Sequence, residues 1–226
     1  MQELELIDEY VKREMQRQNT LIQLKTELIN VGLTKELINS QAGLDATGIL
    51  AKSASKMIQN SLQKGSKIMV VRLPFMHGKI GLEVQPKRRV GSEISAYVKT
   101  KTGIAGLLHG DELPNHGITE DEVRSIRELV HANEKDSFAL VMGEEKRAHF
   151  AMDVIKHRVA HLLEGIPEET RNAMEGGNSE YSRPLPGAAR MYPETDARDV
   201  PISQDMVNEI KENLPQWSAE RKKYYM

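Results

Sequence analysis

The basic run at 86–91 (PKRRVG) is the first stretch whose residue types could do chemistry. Lys87, Arg88 and Arg89 stand together in a loop that follows an apolar run. Lysine and arginine in such a loop can contact phosphate oxygens, which supply most of the sequence-independent affinity of proteins for nucleic acids. A solvated loop without a partner is the other interpretation. The residues alone leave both interpretations open.

Two groups of histidines and carboxylates have some features of a metal site. The stretch 109–116 (HGDELPNH) holds four possible ligands, but it contains neither an HExxH nor an HxH pattern, and Pro114 favours a turn. His157 and His161 are four residues apart on a predicted helix, a spacing that can bind zinc. Both lie opposite the apolar stripe of that helix, which indicates a solvated face. The sequence therefore predicts no metal site.

The stretch 183–196 (RPLPGAARMYPETD) combines charged side chains with three prolines. Its candidate site residues are Arg183, Arg190, Tyr192, Glu194 and Asp196. Polar groups on a constrained loop are typical of a site, whereas a strap between domains with locally paired charges is the alternative. The sequence contains no GxxxxGK(S/T) phosphate loop, GxSxG elbow or paired-carboxylate signature.

The charge distribution is segmented although the formal net charge is only −2, from 31 basic and 33 acidic side chains. Residues 66–110 carry 8 basic and 2 acidic side chains, a net +6, and residues 111–180 carry 8 and 16, a net −8. The absence of cysteine excludes disulfides, thiolate zinc sites and a cysteine nucleophile. Aromatic residues make up 4% of the chain, which argues against a stacking platform for single-stranded bases. No apolar run is long enough to cross a bilayer, so we expect a cytoplasmic protein without membrane contact.

Hydrophobic periodicity and capping signals predict the elements that position these residues. Helices are expected over 3–31, 45–63, 91–101, 119–131, 144–164 and 203–213, with a short helix from Thr34. Strands are expected over 67–73, 79–85, 103–109 and 137–142, the first two forming a hairpin. Helical turns are expected at 167–175 and extended chain at 181–201. The order ββαβαβα between about 66 and 165 predicts an α+β fold with a mostly antiparallel four-stranded sheet.

Seven strings, taken together, resemble the archaeal GatE family, the E-type subunit of glutamyl-tRNA(Gln) amidotransferase. The longest is RPLPGAARMYPETD, and the resemblance covers almost the whole chain. The others are QELELI at 2–7, REMQRQ at 13–18, QPKRRVG at 85–91, DELPNHGI at 111–118, GIPEETR at 165–171 and ENLP at 212–215.

The resemblance implies that the chain is an internal fragment with three parts. Residues 1–64 would be a helical segment of a larger domain. Residues 65–180 would be a GAD-type α+β domain, which this family shares with bacterial aspartyl-tRNA synthetases. Residues 181–226 would return to a catalytic cradle and end in a helix, so that the five candidates of 183–196 would lie near that cradle.

The resemblance also implies an activity for the full-length protein. The E-type subunit, with ATP and Mg²⁺, phosphorylates the γ-carboxylate of glutamate on tRNA(Gln), and ammonia from the D-type subunit of the amidotransferase displaces the phosphate. The catalytic and metal-binding residues would lie outside this chain, which would bind no cofactor and be inactive alone. Its expected contribution is contact with tRNA(Gln) and other domains, with Lys87, Arg88 and Arg89 near the tRNA backbone.

The residues leave two alternatives open. A fragment of an aminoacyl-tRNA synthetase that carries a GAD domain is one, although RPLPGAARMYPETD stands where class II synthetase strands would follow. A non-catalytic scaffold that docks a basic partner through the acidic residues 111–180 is the other.

Overall fold

The computed structural model describes residues 6–185 and 202–213. The chain forms two compact units, Met1–Leu185 and Pro186–Met226. In the second unit the described part is helix α8, Gln204–Glu212, which Ser203 caps by accepting a hydrogen bond from the Met206 amide. The helix predicted over 203–213 is therefore confirmed.

The first unit contains seven α-helices and eight strands among its described residues. The helices are α1 (Ile7–Asn30), α2 (Lys35–Asn39), α3 (Thr47–Leu50), α4 (Lys56–Gln63), α5 (Val90–Thr102), α6 (Glu120–Leu129) and α7 (Glu145–His161). The strands are β1 (Gly43–Asp45), β2 (Lys67–Leu73), β3 (Glu83–Gln85), β4 (Arg88–Arg89), β5 (Leu108–His109), β6 (Ser137–Gly143), β7 (Glu169–Ala173) and β8 (Ser179–Pro184).

The centre of the first unit is a four-stranded antiparallel sheet in the order β1-β2-β6-β5. Strands β2 and β6 pair along their full length, with Lys67 opposite Gly143 and Leu73 opposite Ser137. Two further pairs, β3-β4 and β7-β8, form separate two-stranded sheets. The predicted α+β class and the four-stranded antiparallel sheet are confirmed.

Helices cover both faces of the central sheet, which explains why β2 and β6 are apolar along most of their length. Because successive side chains of a strand point to opposite faces, Met69 and Val71 join one core with α1, α5 and α7. Ile68 and Val70 join a second core with α3, α4 and α6. The sheet thus carries two hydrophobic layers, and α5, which begins directly after the basic run, packs in the first.

The predicted helix over 45–63 is wrong, because the chain forms β1, α3 and α4 there. The Ala46 amide donates to the Ile68 carbonyl at 2.8 Å, and the Ile68 amide donates to the Thr47 hydroxyl at 3.0 Å. These bonds to β2 hold residues 43–46 at the edge of the sheet. Asp45, expected to open the helix, instead accepts the Thr47 amide and ends β1.

The predicted hairpin of 67–73 with 79–85 is also wrong. The amides of Ile80 and Gly81 donate to the Asp111 carboxylate at 2.9 and 3.0 Å, so they are not available to a strand ladder. The neighbours of β2 are β1 and β6. Of the strand predicted over 79–85, the last three residues form β3, which pairs with β4.

Two shorter predictions need correction as well. Of the strand expected over 103–109, only β5 pairs with the sheet. Residues expected as helical turns at 167–175 form β7, whose sequence ETRNA lacks the apolar alternation of a typical strand. Its pairing with β8 is accompanied by the buried ion pairs of Glu169 and Arg171 described below.

The helices predicted over 91–101, 119–131 and 144–164 are confirmed as α5, α6 and α7. The capping box expected at Thr119 forms: its hydroxyl accepts the Glu122 amide at 3.3 Å, and its amide donates to the Glu122 carboxylate at 2.7 Å. Among the described helices, none is long and apolar enough to cross a membrane.

Candidate nucleic-acid interface

The basic turn, residues 87–89, connects strand β3 to helix α5. Lys87 has a left-handed backbone conformation with φ 62°, which turns the chain back so that β4 pairs with β3. The Arg89 amide donates to the Ser92 hydroxyl at 3.2 Å and thereby caps α5. The Gly91 amide donates to the Ile80 carbonyl at 2.8 Å. The turn is therefore fixed at both ends, and the side chains of Lys87 and Arg89 are exposed.

Arg88 differs from its two neighbours because its side chain points into the protein. Only 13% of this side chain is exposed, and its Nη2 lies 3.7 Å from the Glu93 carboxylate. Its Nη1 lies 3.8 Å from Glu180 and 3.2 Å from the sulfur of Met174. Arg88 therefore anchors the basic turn, while Lys87 and Arg89 face solvent.

A groove of about 510 Å³ opens beside the basic turn. We call it the basic groove, and it lies between the turn, the first half of α5 and the segment before β5. Lys99, from the third turn of α5, adds a third exposed cation at its edge. Its lining residues are Lys87, Arg88, Arg89, Gly91, Ser92, Ser95, Ala96, Lys99, Gly106, Leu107, His109, Glu112 and Glu180. The amino-terminal end of α5 adds its partial positive charge to the same place.

His109 lies at the side of this groove and is packed closely against α5. A Cβ atom at Gly91 would come within 2.8 Å of the His109 Nε2 atom, so glycine is required for this approach. Burial lowers the pKa of His109, against the opposing effect of the Glu112 and Asp111 charges. The imidazole is therefore neutral at neutral pH, and the positive charge of the groove comes from Lys87, Arg89 and Lys99.

The two carboxylates of the stretch 109–116 accept hydrogen bonds from main-chain amides. Asp111 accepts the amides of Ile80 and Gly81 and, at 3.0 Å, the hydroxyl of Ser137. Glu112 accepts the His109 amide at 3.2 Å. Within residues 6–185 and 202–213, no three His, Asp or Glu side chains gather as a metal site would require.

His157 and His161 lie side by side on α7, with ring centroids 4.2 Å apart. Tyr97 of α5 packs beside both rings, at 6.2 and 6.4 Å. His157 is exposed, as expected for a solvated face, whereas His161 is half-buried. Burial, followed by the charge of His157, lowers the pKa of His161.

Six charged side chains behind the basic turn form a buried ionic network: Glu14, Arg17, Glu93, Arg158, Glu169 and Arg171. Arg171 donates to both oxygens of Glu93 at 2.8 Å and also pairs with Glu169. Arg158 donates to Glu169 at 2.6 Å. Arg17 pairs with Glu14 at 2.7 Å and lies 3.7 Å from both Glu93 and Glu169.

The ionic network connects four elements that are distant in sequence. Its members come from α1, α5, α7 and β7, and Glu93 lies in the first turn of α5, directly behind the basic turn. Burial alone would raise the pKa of Glu93, but hydrogen bonds from Arg171 and the charges of Arg171, Arg17 and Arg158 outweigh it and lower that pKa. Glu93 is therefore ionised at neutral pH and holds the start of α5 in place.

This network was not predicted from the sequence, although the sequence holds a signal for it. Arg17 occupies the same helical row as the buried residues Leu21, Leu24 and Leu28, at spacings of four, three and four. A charged residue in an apolar row indicates a buried ion pair. Lys99 was also missed, because only the fold brings it to the same groove as the basic turn.

We expect the ionic network to make the stability of the chain sensitive to acid. Burial raises the pKa of Glu14, but hydrogen bonding and the charge of Arg17 outweigh it, so the pKa values of Glu14 and Glu93 both lie below their ordinary value of 4.5. A carboxylate with a lowered folded-state pKa stabilises the fold above its unfolded pKa, and this contribution is lost as the pH falls through the folded-state pKa. The free energy of unfolding should therefore decline below about pH 4.5.

Urea unfolding measured between neutral pH and pH 3 checks this expectation. The Glu14→Gln variant should show a shallower decline than the unmodified chain, because its residue 14 no longer titrates. Glu128→Gln changes an exposed glutamate of α6 and should follow the unmodified chain. Identical pH profiles for all three proteins would contradict the expectation.

Of the five candidates in the stretch 183–196, one lies among the described residues. Arg183 lies in β8 opposite Thr170, with its side chain exposed and its carbonyl accepting the Thr170 hydroxyl at 3.2 Å. Arg190, Tyr192, Glu194 and Asp196 lie outside the described residues. Their place near a catalytic cradle stays a prediction.

Comparison with known proteins identifies a domain and a set of relatives. The GAD domain family model matches residues 58–152. The E-type subunit of the Pyrococcus furiosus glutamyl-tRNA(Gln) amidotransferase is 43% identical over 216 residues, covering 96% of this chain and 34% of that protein. Its counterpart in Methanocaldococcus jannaschii is 42% identical, covering 98% of this chain and 35% of that protein. That of Thermococcus sibiricus is 41% identical over the whole chain and 36% of its own length. The chain thus spans about a third of the length of the curated relatives it matches.

Proposed function

Because the chain belongs to the family of glutamyl-tRNA(Gln) amidotransferase E-type subunits and carries a GAD domain, we propose that it serves tRNA-dependent amidation as a binding region. In this proposal the whole protein, with the D-type subunit, ATP and Mg²⁺, converts Glu-tRNA(Gln) to Gln-tRNA(Gln) in the cytoplasm. A carboxylate is a poor acyl donor until its oxygen becomes a leaving group, so it must be activated before ammonia can attack, and phosphorylation by ATP is the activation proposed. Among residues 6–185 and 202–213 no group of three His, Asp or Glu side chains gathers that could hold a metal ion. The role proposed for this chain is contact with tRNA.

The observation that carries this proposal is that the basic turn exposes two cations to solvent while its third basic residue pairs with carboxylates inside the protein. Lys87 and Arg89 are exposed, while Arg88 is anchored by Glu93 and Glu180. All three residues were predicted from the sequence to approach the tRNA backbone. The exposure of Lys87 and Arg89 favours these two as the residues that contact phosphate, and the ion pairs of Arg88 favour it as the residue that positions them. Phosphate contacts position a nucleic acid without reading its sequence, so the proposal does not include selection of tRNA(Gln) by these residues.

The acidic start of helix α6 indicates one surface that does not contact RNA. Helix α6 begins with Glu120, Asp121 and Glu122, whose charges favour the amino-terminal end of that helix. Acidic side chains repel the phosphates of tRNA, so this helix is expected to face away from the bound RNA.

We expect the double variant Lys87→Glu, Arg89→Glu to bind tRNA(Gln) at least about tenfold more weakly at low salt. The slope of log K against log salt should also become shallower by about 2, roughly one for each lost phosphate contact. Fluorescence anisotropy with labelled tRNA(Gln) over a salt series gives both quantities. The matched control is Lys52→Glu, Lys56→Glu, which reverses two exposed lysines outside the groove.

Both double variants change the net charge equally, so the comparison separates the site from a general charge effect. A double variant of the basic turn with the salt slope of the unmodified chain would refute the proposed contact. Equal weakening by the control pair would also refute it.

A further inference from the structure

We propose that the basic groove binds one unpaired ribonucleotide of the RNA, with its phosphate at the cationic edge and its sugar and base inside. This inference rests on the proposed function, because it assumes that the chain meets tRNA. It goes further because it names the ligand, a single nucleotide, and gives a role to the residues inside the groove. Contact with the backbone of a helical stem would not require those residues.

The edge of the groove suits a phosphate. Lys87 and Arg89 stand on the basic turn and Lys99 on α5, and all three are exposed side chains that line the groove. The hydroxyls of Ser92 and Ser95 line the groove near the beginning of α5. Cations, hydroxyls and the positive end of a helix are the groups with which proteins hold phosphate oxygens.

The carboxylates that line the groove disfavour a bare phosphate. Glu112 and Glu180 line the same space, and their charges repel a small anion that carries no hydrogen-bond donors. Both carboxylates retain acceptor capacity, because Glu112 accepts one bond from a main-chain amide and Glu180 is 3.8 Å from Arg88. A ribonucleotide offers an anion together with donors on its 2′-hydroxyl and on exocyclic amino groups.

The shape of the groove favours one unpaired nucleotide. Its volume of about 510 Å³ lies within the range of roughly 300–1,000 Å³ that holds small organic ligands. Ala96 and Leu107 supply apolar wall for a sugar or base. Among the described residues, no Phe, Tyr or Trp lines the groove, and the one aromatic ring there, the imidazole of His109, is packed against α5. The nucleotide is therefore held mainly through its phosphate and polar edges, and the 2′-hydroxyl is the basis for preferring RNA to DNA.

The test uses a variant that fills the groove without changing its charge. Ser95 lies on α5 and is half-buried in the groove, so Ser95→Trp should block entry of a nucleotide while leaving Lys87, Arg89 and Lys99 in place. Ser125→Trp is the matched control, because Ser125 is a half-buried serine on α6 outside the groove. Binding by the 226-residue chain is measured by anisotropy with four probes: a short single-stranded oligoribonucleotide, its DNA counterpart, a blunt RNA duplex and inorganic pyrophosphate as competitor.

We expect Ser95→Trp to weaken binding of the single-stranded RNA by about tenfold and to weaken duplex binding much less, since only the former probe has an unpaired nucleotide. The unmodified chain should prefer the RNA strand to the DNA strand, and pyrophosphate should compete poorly. Lys99→Gln, a change at an exposed position, keeps the test valid if tryptophan at position 95 disturbs folding. It should weaken binding of the single-stranded RNA more than binding of the duplex.

Equal loss of single-strand and duplex binding in Ser95→Trp and Lys99→Gln would overturn the inference, as would strong competition by pyrophosphate or equal binding of RNA and DNA. These outcomes leave the proposed function intact as long as Lys87→Glu, Arg89→Glu still flattens the salt slope for tRNA. Failure of that double variant would instead refute the proposed function itself.

Discussion

Replacing Glu93 with glutamine is expected to lower the free energy of unfolding by about 3–5 kcal/mol, the usual cost of removing one partner from a buried ion pair. Glu93 is 4% exposed and is surrounded by arginines. Arg171 donates to both of its oxygens, and Arg17, Arg158 and Arg88 lie within 3.5–3.7 Å. Glutamine has nearly the same shape but no charge, so the loss reports electrostatics more than packing.

The cost is large because the remaining charges no longer balance. Without Glu93, the arginines of the ionic network face only Glu169 and the partly exposed Glu14. Buried guanidinium groups have given up their hydration, and desolvated charge without a partner costs several kcal/mol. We expect the same variant to weaken RNA binding, because Glu93 also contacts Arg88 and so positions the basic turn.

Urea unfolding at neutral pH, followed by circular dichroism, measures this effect. Glu128→Gln makes the same chemical change at an exposed position of α6 and should alter the free energy of unfolding by less than about 0.5 kcal/mol. Comparable small changes in both variants would show that the network contributes little to stability.

Gly117→Ala is expected to destabilise the fold by more than about 2 kcal/mol through two separate effects. Gly117 has φ +82°, a left-handed conformation that costs an alanine roughly 1–2 kcal/mol. A Cβ atom there would also lie 2.9 Å from the Cα and 3.1 Å from the amide nitrogen of Ser55. Because these are main-chain atoms at the start of α4, they cannot move aside as the end of a flexible side chain could.

Gly103→Ala separates the two effects. Gly103 ends α5 with φ +75°, and no atom lies within 4 Å of the position its Cβ would take. It should therefore show only the conformational cost, and the difference in thermal midpoint between the two variants measures the contact with Ser55. Equal midpoints would mean that the loop at 110–119 moves away from α4 without penalty.

The packing of α1 and β1 bears on how the chain is divided. A boundary is predicted from the sequence at 64/65, yet α1 contributes Leu21, Leu24 and Leu28 to the core beneath α5 and α7. Strand β1 completes one edge of the central sheet. All of these elements belong to the compact unit Met1–Leu185. The predicted boundary stays a prediction, but a chain that began at residue 65 would lose one sheet strand and part of this core.

The sequence by itself determined the features that depend on near neighbours. The apolar runs of β2 and β6, the helical periods of α5 and α7 and the capping box of α6 act within a few residues, so their patterns are local. The α+β class and the relationship to the amidotransferase family also followed from local strings. The place of the basic turn at the start of a helix was determined in the same way.

Only the tertiary structure decided which charges meet. Strand β7 lacks an apolar alternation and forms where Glu169 and Arg171 meet partners from α1, α5 and α7, elements that are distant in sequence. The outward direction of Lys87 and Arg89, and the inward direction of Arg88, depend on Glu93 and Glu180. Three adjacent basic residues do not reveal these partners in the sequence. The burial and pairing of a charged side chain depend on which groups the fold brings within a few ångströms of it.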